Sequence, residues 1–322
     1  MSLPNAPELY EAIRVTPNLN GTVTRSAEYF STVPPSTNDP TSPTLSKDVP
    51  VNTDKNTWVR IFLPRDILNT NEKLPILVYI HGGGFVVASP DFPPFHEFCS
   101  LAAHCLGAVV VSVKYRLAPE NRLPAAYDDV LEALTWVKDG KDDWVNKYGD
   151  FSSCILMGES AGGNITYHVG LKAAVQSNDF KPLVIKGLVL IQPFFGGLDR
   201  TGSEIRLEND PILRLEICDF MWELSLPVGT DRDHEYCNPS RDGGSRLVDR
   251  VRDLGWWVIV VSCDGDPLFD RCVELAKLLE NKVVNVRTMF SEGGQHGIYV
   301  MFAGGDSGER IEVLDFVKEV WP

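Results

Sequence analysis

A serine at the centre of a glycine-rich turn is the side chain of this sequence best suited to chemistry. Ser160 lies in the pentapeptide GESAG, residues 158–162, between an apolar run at 155–157 and a segment of helical character. A sharp turn from a strand into a helix holds such a serine clear of the sheet, at a helix N-terminus whose backbone N–H groups favour negative charge. The pattern predicts a nucleophile elbow, although the pentapeptide alone also fits an ordinary glycine-rich turn.

A serine hydroxyl needs a base to remove its proton, and histidine is the commonest choice. The chain has six histidines, and His296 lies in a glycine-rich loop directly after the last predicted strand. Loops at the carboxyl ends of parallel strands share one sheet edge, so His296 would face the elbow. Of the other five histidines, His81 begins the glycine run and His168 lies in the elbow helix. His96, His104 and His234 lie in predicted helices or loops that do not follow the end of a strand. His296 is therefore the predicted base.

The base needs a carboxylate to hold its tautomer and stabilise its charge. Asp264 and Asp266 both follow the apolar run 256–261, and Asp266 directly precedes Pro267, which would begin a helix. Either could instead cap that helix, and Asp270 is expected inside it. We choose Asp266, because its carboxylate can project from the strand end. The chain order serine, acid, histidine is that of α/β-hydrolases.

A second glycine run supplies candidate donors for an oxyanion hole. The sequence HGGGF, residues 81–85, directly follows the apolar run 74–80. Consecutive glycines let backbone N–H groups converge on an oxygen without obstruction by side chains. A flexible turn is the alternative, whereas a P-loop is excluded because no Lys-Ser or Lys-Thr pair follows. Gly83 and Gly84, with Ala161 after the serine, are the predicted donors.

A sheet must position these residues, and the hydrophobic pattern predicts one. Seven apolar runs have strand length, and the first alternates apolar and polar residues like a half-exposed strand. Helical patterns separate the later runs, and Pro124 and Pro267 each begin one. Short buried strands alternating with helices predict an α/β fold with a mainly parallel central sheet and helices on both faces. The seven runs are 58–64, 74–80, 108–113, 155–157, 188–191, 256–261 and 283–290.

Two segments lie outside this alternation. Residues 1 to about 50 are rich in Pro, Ser, Thr and Asn, and their aromatic residues favour an arm over the body rather than a disordered tail. An insertion from about 197 to 250 carries an apolar stripe at helical spacing, which fits either an additional core helix or a lid over a pocket. Its place between two strands that follow the elbow favours the lid. The stripe consists of Leu213, Ile217, Phe220, Met221 and Leu224.

Large apolar residues near the predicted catalytic loops and in the insertion are candidates for the wall of a substrate pocket. Such a wall would suit an uncharged substrate of small to medium size. The candidates are Phe85, Phe194, Phe195, Trp222 and Ile298.

The composition narrows the classes of partner. The 322 residues, 43% of them hydrophobic, are ample for a large core, and 44 acidic against 30 basic residues give a net charge of -14. Nucleic acid and anionic membrane surfaces are therefore not expected to be partners. Neither a secretory signal nor a run of about 18 apolar residues is recognised. Seven scattered cysteines suit reduced thiols, so we expect a cytoplasmic protein, with the nucleus left open.

One local cluster of histidine and cysteine, at 96, 99, 104 and 105, could suggest a metal site. It has no second pair of ligands at zinc spacing. We interpret the cluster as a buried helix face and expect neither a metal nor a cofactor.

Taken together, these motifs resemble plant carboxylesterases of the hormone-sensitive-lipase group, and the resemblance covers almost the whole chain. It implies one α/β-hydrolase domain over residues 1–322, with a helical cap formed by about 1–45 and 197–250. It also implies a triad of Ser160, His296 and Asp266, with the oxyanion hole at Gly83, Gly84 and Ala161. The motifs are 81–85, 115–120, 123–129, 158–164, 266–270 and His296, and within them Tyr127 and Asp128 are interpreted as structural.

The resemblance implies a serine carboxylesterase that works without a cofactor. Two kinds of relative differ at the predicted triad: gibberellin receptors lack the catalytic histidine, and an isoflavonoid dehydratase has threonine in place of the serine. This chain has both His296 and Ser160, which favours hydrolysis. A ligand receptor with weak hydrolysis, and a transferase or eliminase of specialised metabolism, remain the alternatives.

Overall fold

The computed structural model of the chain describes residues 7–37, 42–302 and 308–321. Within them the strands form two sheets, and the smaller is an antiparallel pair. That pair consists of β1 (Val15–Pro17) and β2 (Val23–Arg25). The larger sheet has eight strands, β3 (Thr44–Asn52), β4 (Thr57–Pro64), β5 (Leu74–Ile80), β6 (Val109–Lys114), β7 (Gly149–Glu159), β8 (Ile185–Ile191), β9 (Trp257–Cys263) and β10 (Asn285–Ser291).

The large sheet brings the loops that carry the candidate residues to one edge. Its strand order is β10-β9-β8-β7-β5-β6-β4-β3; β5 to β10 are parallel, and β4 is antiparallel to both of its neighbours. The carboxyl ends of β5, β7, β9 and β10 therefore point the same way. Ligands of open parallel sheets bind outside these carboxyl ends.

Helices cover both faces of the sheet and bury two separate apolar clusters. The cluster on one face contains side chains of α2 and α10, and the cluster on the other contains side chains of α3, α5, α8 and α9. This mainly parallel sheet between two helical layers confirms the predicted fold class. The helices are α1 (Pro7–Ala12), α2 (Pro93–Leu106), α3 (Ala125–Lys138), α4 (Asp143–Tyr148), α5 (Ala161–Val175), α6 (Gly202–Arg206), α7 (Leu215–Ser225), α8 (Val248–Asp253), α9 (Phe269–Asn281) and α10 (Gly308–Val320).

The antiparallel end of the sheet differs from the sequence-based expectation. Strand β4 is buried on both faces, so the prediction of a half-exposed strand was wrong. Its polar position is Arg60, which α2 covers and whose guanidinium donates to both carboxylate oxygens of Asp48 at 2.6 and 2.7 Å. Strand β3 was not predicted, because its polar sequence with Pro50 lacks the apolar run of a central strand, as is usual at a sheet edge.

The N-terminal arm packs against the insertion between β8 and β9. The Tyr10 ring meets the Phe220 ring of α7 edge to face, with centroids 4.8 Å apart. Both belong to a third apolar cluster, which also contains Val86 and Val87 directly after the glycine run. Part of the α7 stripe is therefore buried between the arm and this loop, while Met221 approaches Gly84. Residues 1–6 and 38–41 of the predicted arm lie outside the described residues.

The proposed histidine–cysteine face of α2 is only partly buried. Cys99 is buried, but His104 is exposed, and His96 lies 3.1 Å from the Arg60 guanidinium, so the predicted buried face was wrong for His104. In the part of the chain that the structure describes, no three residues among His, Cys, Asp and Glu are grouped as metal ligands. All seven cysteines are free thiols. None of the described helices combines the length and apolar character that a bilayer span requires.

Candidate active site

Ser160 occupies a strained turn between β7 and α5. Its backbone has φ 54° and ψ −121°, a conformation that L-residues rarely adopt and that turns the side chain out of the sheet. The turn fits only if its flanking residues lack side chains. A Cβ atom on Gly158 would lie 2.2 Å from the Gly162 carbonyl oxygen, and one on Gly162 would lie 2.0 Å from the Ile80 carbonyl oxygen. The local geometry is that of a nucleophile elbow.

The loops after β7, β9 and β10 bring three of the predicted residues into one hydrogen-bonded line. His296 Nε2 lies 3.0 Å from Ser160 Oγ, and His296 Nδ1 lies 2.9 Å from Asp266 Oδ2. We assign the ring proton to Nδ1, which donates to the carboxylate, so that Nε2 accepts from the serine hydroxyl. All three side chains are buried. This arrangement can move the serine proton to the imidazole.

Asp266 combines the two roles that the sequence left open. Its Oδ1 accepts a hydrogen bond from the Leu268 N–H at 2.9 Å, at the start of α9, while Oδ2 faces His296. Asp264 instead accepts from the Gly293 N–H at 2.6 Å and joins the loop after β9 to the loop after β10. The two aspartates therefore have different partners, and only Asp266 contacts the imidazole.

Gln192, which the sequence analysis missed, joins the carboxylate to the loop of the histidine. Its side chain is fully buried at the end of β8, where Nε2 donates to Asp266 Oδ2 at 2.7 Å and Oε1 accepts from the Gly297 N–H at 2.8 Å. A second acceptor for Nε2 is the Gln295 carbonyl oxygen at 3.1 Å. The available signal was a polar residue directly after an apolar run at the carboxyl edge of the sheet.

The Asp266 carboxylate also raises the basicity of His296. Burial disfavours a charged imidazolium and by itself lowers the pKa of His296. The charge and hydrogen bond of Asp266 outweigh burial, with further contributions from the carboxylates of Glu159 and Asp210. The pKa of His296 therefore lies above its ordinary value of 6.5.

The predicted oxyanion donors lie in backbone conformations that favour glycine. Gly83 has φ +105° and Gly84 has φ +58°, and a Cβ atom on Gly84 would lie 2.0 Å from Met221 Sδ. The Tyr115 hydroxyl donates to the His81 carbonyl oxygen at 2.9 Å and so supports the start of this loop. The N–H groups of Gly83, Gly84 and Ala161 have no acceptor among the residues described. These donors remain available to an oxygen outside the protein.

The five pocket candidates do not form one group. Phe85, Phe194 and Trp222 pack together, with the Phe194 and Trp222 rings stacked at 4.8 Å and the Phe85 ring 5.2 Å from Trp222. The Phe194 N–H donates to the Ser160 carbonyl oxygen at 2.8 Å, which places this aromatic cluster beside the elbow. Phe195 packs against Tyr167 on α5, and Ile298 packs against the cluster on the opposite face of the sheet.

Two residues in the predicted motifs support the back of the elbow. The Tyr127 hydroxyl donates to Asn164 Oδ1 at 2.8 Å, and Asn164 Nδ2 donates to the carbonyl oxygens of Phe194 and Tyr236 at 3.0 and 2.8 Å. Asn164 therefore joins α3, α5 and the insertion. Tyr127 has the structural role that its motif predicts.

Comparisons with known proteins agree with this fold. A family model described as the alpha/beta hydrolase fold matches residues 77–300. The chain is 46% identical to Carboxylesterase 20 of Arabidopsis thaliana over 97% of both chains. It is 48% identical to 3-O-acetylpapaveroxine carboxylesterase CXE2 of Papaver somniferum, over 79% of this chain and 83% of that protein. Among solved structures, an esterase of Pyrobaculum calidifontis superposes with a TM-score of 0.70 at 27% identity, covering 88% of this chain and 87% of the other.

These relatives match the chain along most of their own length, and the family model covers both glycine-rich motifs and His296. The parallel sheet and the elbow agree with that match. The chain therefore belongs to the plant carboxylesterases of the hormone-sensitive-lipase group, serine hydrolases built on the α/β-hydrolase fold.

Proposed function

We propose that this carboxylesterase hydrolyses small to medium uncharged esters, with Ser160 as nucleophile, His296 as base and Asp266 as the orienting carboxylate. The observation that carries the proposal is the continuous line of hydrogen bonds from Asp266 through His296 to Ser160, at 2.9 and 3.0 Å. Such a line activates a serine that is otherwise a poor nucleophile.

In the acylation step, Ser160 Oγ attacks the ester carbonyl carbon and its proton passes to His296 Nε2. The backbone N–H groups of Gly83, Gly84 and Ala161 stabilise the tetrahedral oxyanion, and loss of one such donor typically lowers turnover by about 10²–10³-fold. The carbon–oxygen bond to the alcohol then breaks, and the alcohol leaves with the proton from Nε2. Water repeats the sequence on the acyl-enzyme, releases the acid and restores the serine.

The aromatic cluster of Phe85, Phe194 and Trp222 lies buried beside the elbow, and these apolar surroundings favour uncharged substrate groups. We propose that the insertion 197–250 and the N-terminal arm form the cap above it, because α7 contacts both the arm and the glycine loop.

The poppy relative is named for an O-acetylated compound, so acetate esters are the first candidates for this chain.

We also propose that the protein acts in a reducing compartment, with the cytoplasm as the first candidate. The observation behind this is that all seven cysteines are free thiols. Two tulip relatives, 37% identical over 63% of this chain, are named as chloroplastic. Localising the full-length chain with a fluorescent tag would distinguish the two compartments.

The direct test compares hydrolysis of p-nitrophenyl acetate by the wild-type protein and by Ser160→Ala. We expect hydrolysis by the wild type and loss of nearly all of it in the variant, whose fold is checked by circular dichroism. Equal rates in the two proteins would refute the proposal. Tight binding of a ligand without turnover would indicate a receptor, and a product other than acid and alcohol would indicate a transferase or eliminase.

A further inference from the structure

Glu159, directly before Ser160, is a buried carboxylate to which the proposed mechanism gives no role. Only 2% of its surface is exposed, and its Oε2 has no hydrogen-bond partner among the described residues. Placing a carboxylate in such surroundings costs free energy unless it is paired. Glutamine or leucine would fill the same space at a lower cost in free energy. Packing alone therefore does not explain a glutamate at position 159.

The Glu159 side chain lies directly beneath the glycine-rich loop. A Cβ atom on Gly82 would lie 2.3 Å from Glu159 Oε2, so the carboxylate occupies the position that a side chain at residue 82 would need. The peptide that leads into Gly83 and Gly84 therefore rests on this carboxylate. On its other side, Glu159 is joined through the backbone to the nucleophile, Ser160.

The ionisable groups that face Glu159 leave His296 as its cationic partner. Burial raises the pKa of Tyr79 and Tyr115 well above 10, and burial lowers the pKa of His81 to about 4, so these three groups are neutral near pH 7. The remaining groups are Asp266, which shares the negative sign, and His296. Tyr79 lies on β5, His81 in the loop after β5 and Tyr115 in the loop after β6. Asp266 lies in the loop after β9 and His296 in the loop after β10. Asp210, which lies in the insertion, faces His296.

We propose that Glu159 is a positioning residue of the esterase, a second carboxylate whose charge stabilises the imidazolium of His296 while that ring holds the serine proton. The inference rests on the proposed function. In the acylation transition state the imidazole gains a positive charge inside a buried site, where Coulomb interactions are stronger than in water. Asp266 supplies the hydrogen bond and the first negative charge, and Glu159 adds a second charge from the side of the elbow.

The charge of Glu159 itself changes near neutral pH. Burial raises its pKa to about 7; the imidazolium of His296 opposes this increase, whereas Asp266 adds to it. Glu159 and His296 therefore titrate as a coupled pair, whose two apparent pKa values belong to the pair rather than to either residue. Loss of the Glu159 charge, by protonation or by substitution, lowers the pKa of His296.

The isosteric variant Glu159→Gln tests the proposal, because it keeps the shape under Gly82 and removes the charge. We expect the plateau of kcat to fall about tenfold and the acid limb of kcat/KM to move about one pH unit lower, since one pKa unit corresponds to a tenfold change in equilibrium. The variant Glu159→Asp, which restores the charge, should return the limb toward its wild-type position. Asp139→Asn, which removes an exposed acidic charge at the C-terminal end of α3, is the matched control and should leave the profile unchanged.

A titration of the His296 imidazole by NMR separates this inference from the proposed hydrolysis, because it needs no substrate. The wild type should titrate in two coupled steps, and Glu159→Gln in one step at lower pH. If the glutamine variant does not fold, the titration of the wild type tests the proposal, which requires two coupled steps. A folded Glu159→Gln protein with an unmoved acid limb, a Glu159→Asp protein that behaves like the glutamine variant, or a single-step wild-type titration would each overturn the proposal.

Discussion

At the scale of single residues, the geometry of the site depends on side chains that do not touch a substrate. Asp266 is hydrogen-bonded to His296, and Gln192 in turn binds Asp266 and the Gly297 N–H through one amide group. Partners of this kind fix the position and tautomer of a catalytic base. We therefore expect loss of Gln192 or Asp266 to misalign the imidazole even when Ser160 and His296 are intact.

The variant Gln192→Ala should lower kcat of ester hydrolysis by about 10–100-fold with little change in KM, because a misplacement of about 1 Å can cost about 10²-fold in rate. Steady-state kinetics with p-nitrophenyl acetate measures both constants. Glutamate at 192 would place a second carboxylate against Asp266, so Gln192→Glu should be worse than alanine. A folded alanine variant with wild-type kcat would show that Gln192 does not position the triad.

The pH dependence of catalysis should report the raised pKa of His296. Only the neutral imidazole can accept the serine proton, so kcat/KM should fall as the pH drops through a value above 6.5. Asp266→Asn removes the largest contribution that opposes burial, so its acid limb should move to lower pH, and its plateau should fall about 10⁴-fold through loss of the correct tautomer. An acid limb of Asp266→Asn at or above the wild-type position would contradict this account.

Sequence reasoning predicted the residues of the candidate site that belong to local motifs and missed the residues that only the fold brings to them. Ser160, His296 and Asp266 each follow a strand and stand in short patterns with a chemical meaning. Gln192 has its partners 74 and 105 positions away along the chain, and its place directly after an apolar run does not identify those partners. Glu159 was visible within the elbow motif, but its burial against Gly82 depends on a loop from another strand.

At the scale of secondary structure elements, a buried ion pair attaches the insertion to the body of the fold. Arg271 of α9 donates from Nε to Glu204 Oε1 of α6 at 3.0 Å and from Nη2 to Oε2 at 3.1 Å. Glu204 also forms a capping box with Thr201 at the start of α6. Both charged side chains are over nine-tenths buried, so neither can exchange its partner for water.

Arg271→Ala should lower the free energy of unfolding by about 3–5 kcal/mol, because it leaves the Glu204 carboxylate buried without its cation. Denaturant unfolding monitored by tryptophan fluorescence gives this quantity. Replacing both partners with apolar residues, as in Arg271→Met with Glu204→Leu, should cost less than the single change. Arg252→Ala at the exposed end of α8 is the control and should not move the midpoint; an equal loss in Arg252→Ala and Arg271→Ala would contradict the prediction.

The predicted elements agree best with the structure where strands are central and apolar. The run 74–80 coincides with β5, and the runs that follow it all overlap strands of the parallel part. The disagreements are at the antiparallel end, where β3 is a polar edge strand and where the alternating pattern of β4 is buried because Arg60 is paired with Asp48. Alternation in a sequence cannot distinguish a polar residue in solvent from one with an internal partner.

At the scale of the whole molecule, the chain combines a net charge of -14 with a core that contains nearly all of its thiols. Six of the seven cysteines are buried, and Cys105 is partly exposed. Burial raises the pKa of the Cys105 thiol only moderately, whereas it raises the pKa of Cys263 to about 12. The reactive thiolate is therefore most accessible at Cys105.

Titration with Ellman's reagent should give seven thiols in the denatured chain without prior reduction, and about one reactive thiol in the native protein. Cys105→Ser should remove the fast native reaction and leave the others. Fewer than seven thiols in the denatured, unreduced chain would reveal a disulfide and contradict the free-thiol structure. Several fast native thiols would contradict the burial of the remaining six.

We propose Ser160 as the activated nucleophile of this hydrolase. Labelling with a fluorophosphonate tests this role, because the reagent reacts fastest with a serine that an adjacent base activates and forms a stable covalent bond with it. Intact-mass measurement and peptide mapping should find one adduct, on Ser160, with labelling absent in Ser160→Ala and strongly slowed in His296→Ala. Hydrolysis of esters by a protein that is not labelled, or that carries the adduct on another residue, would contradict the account.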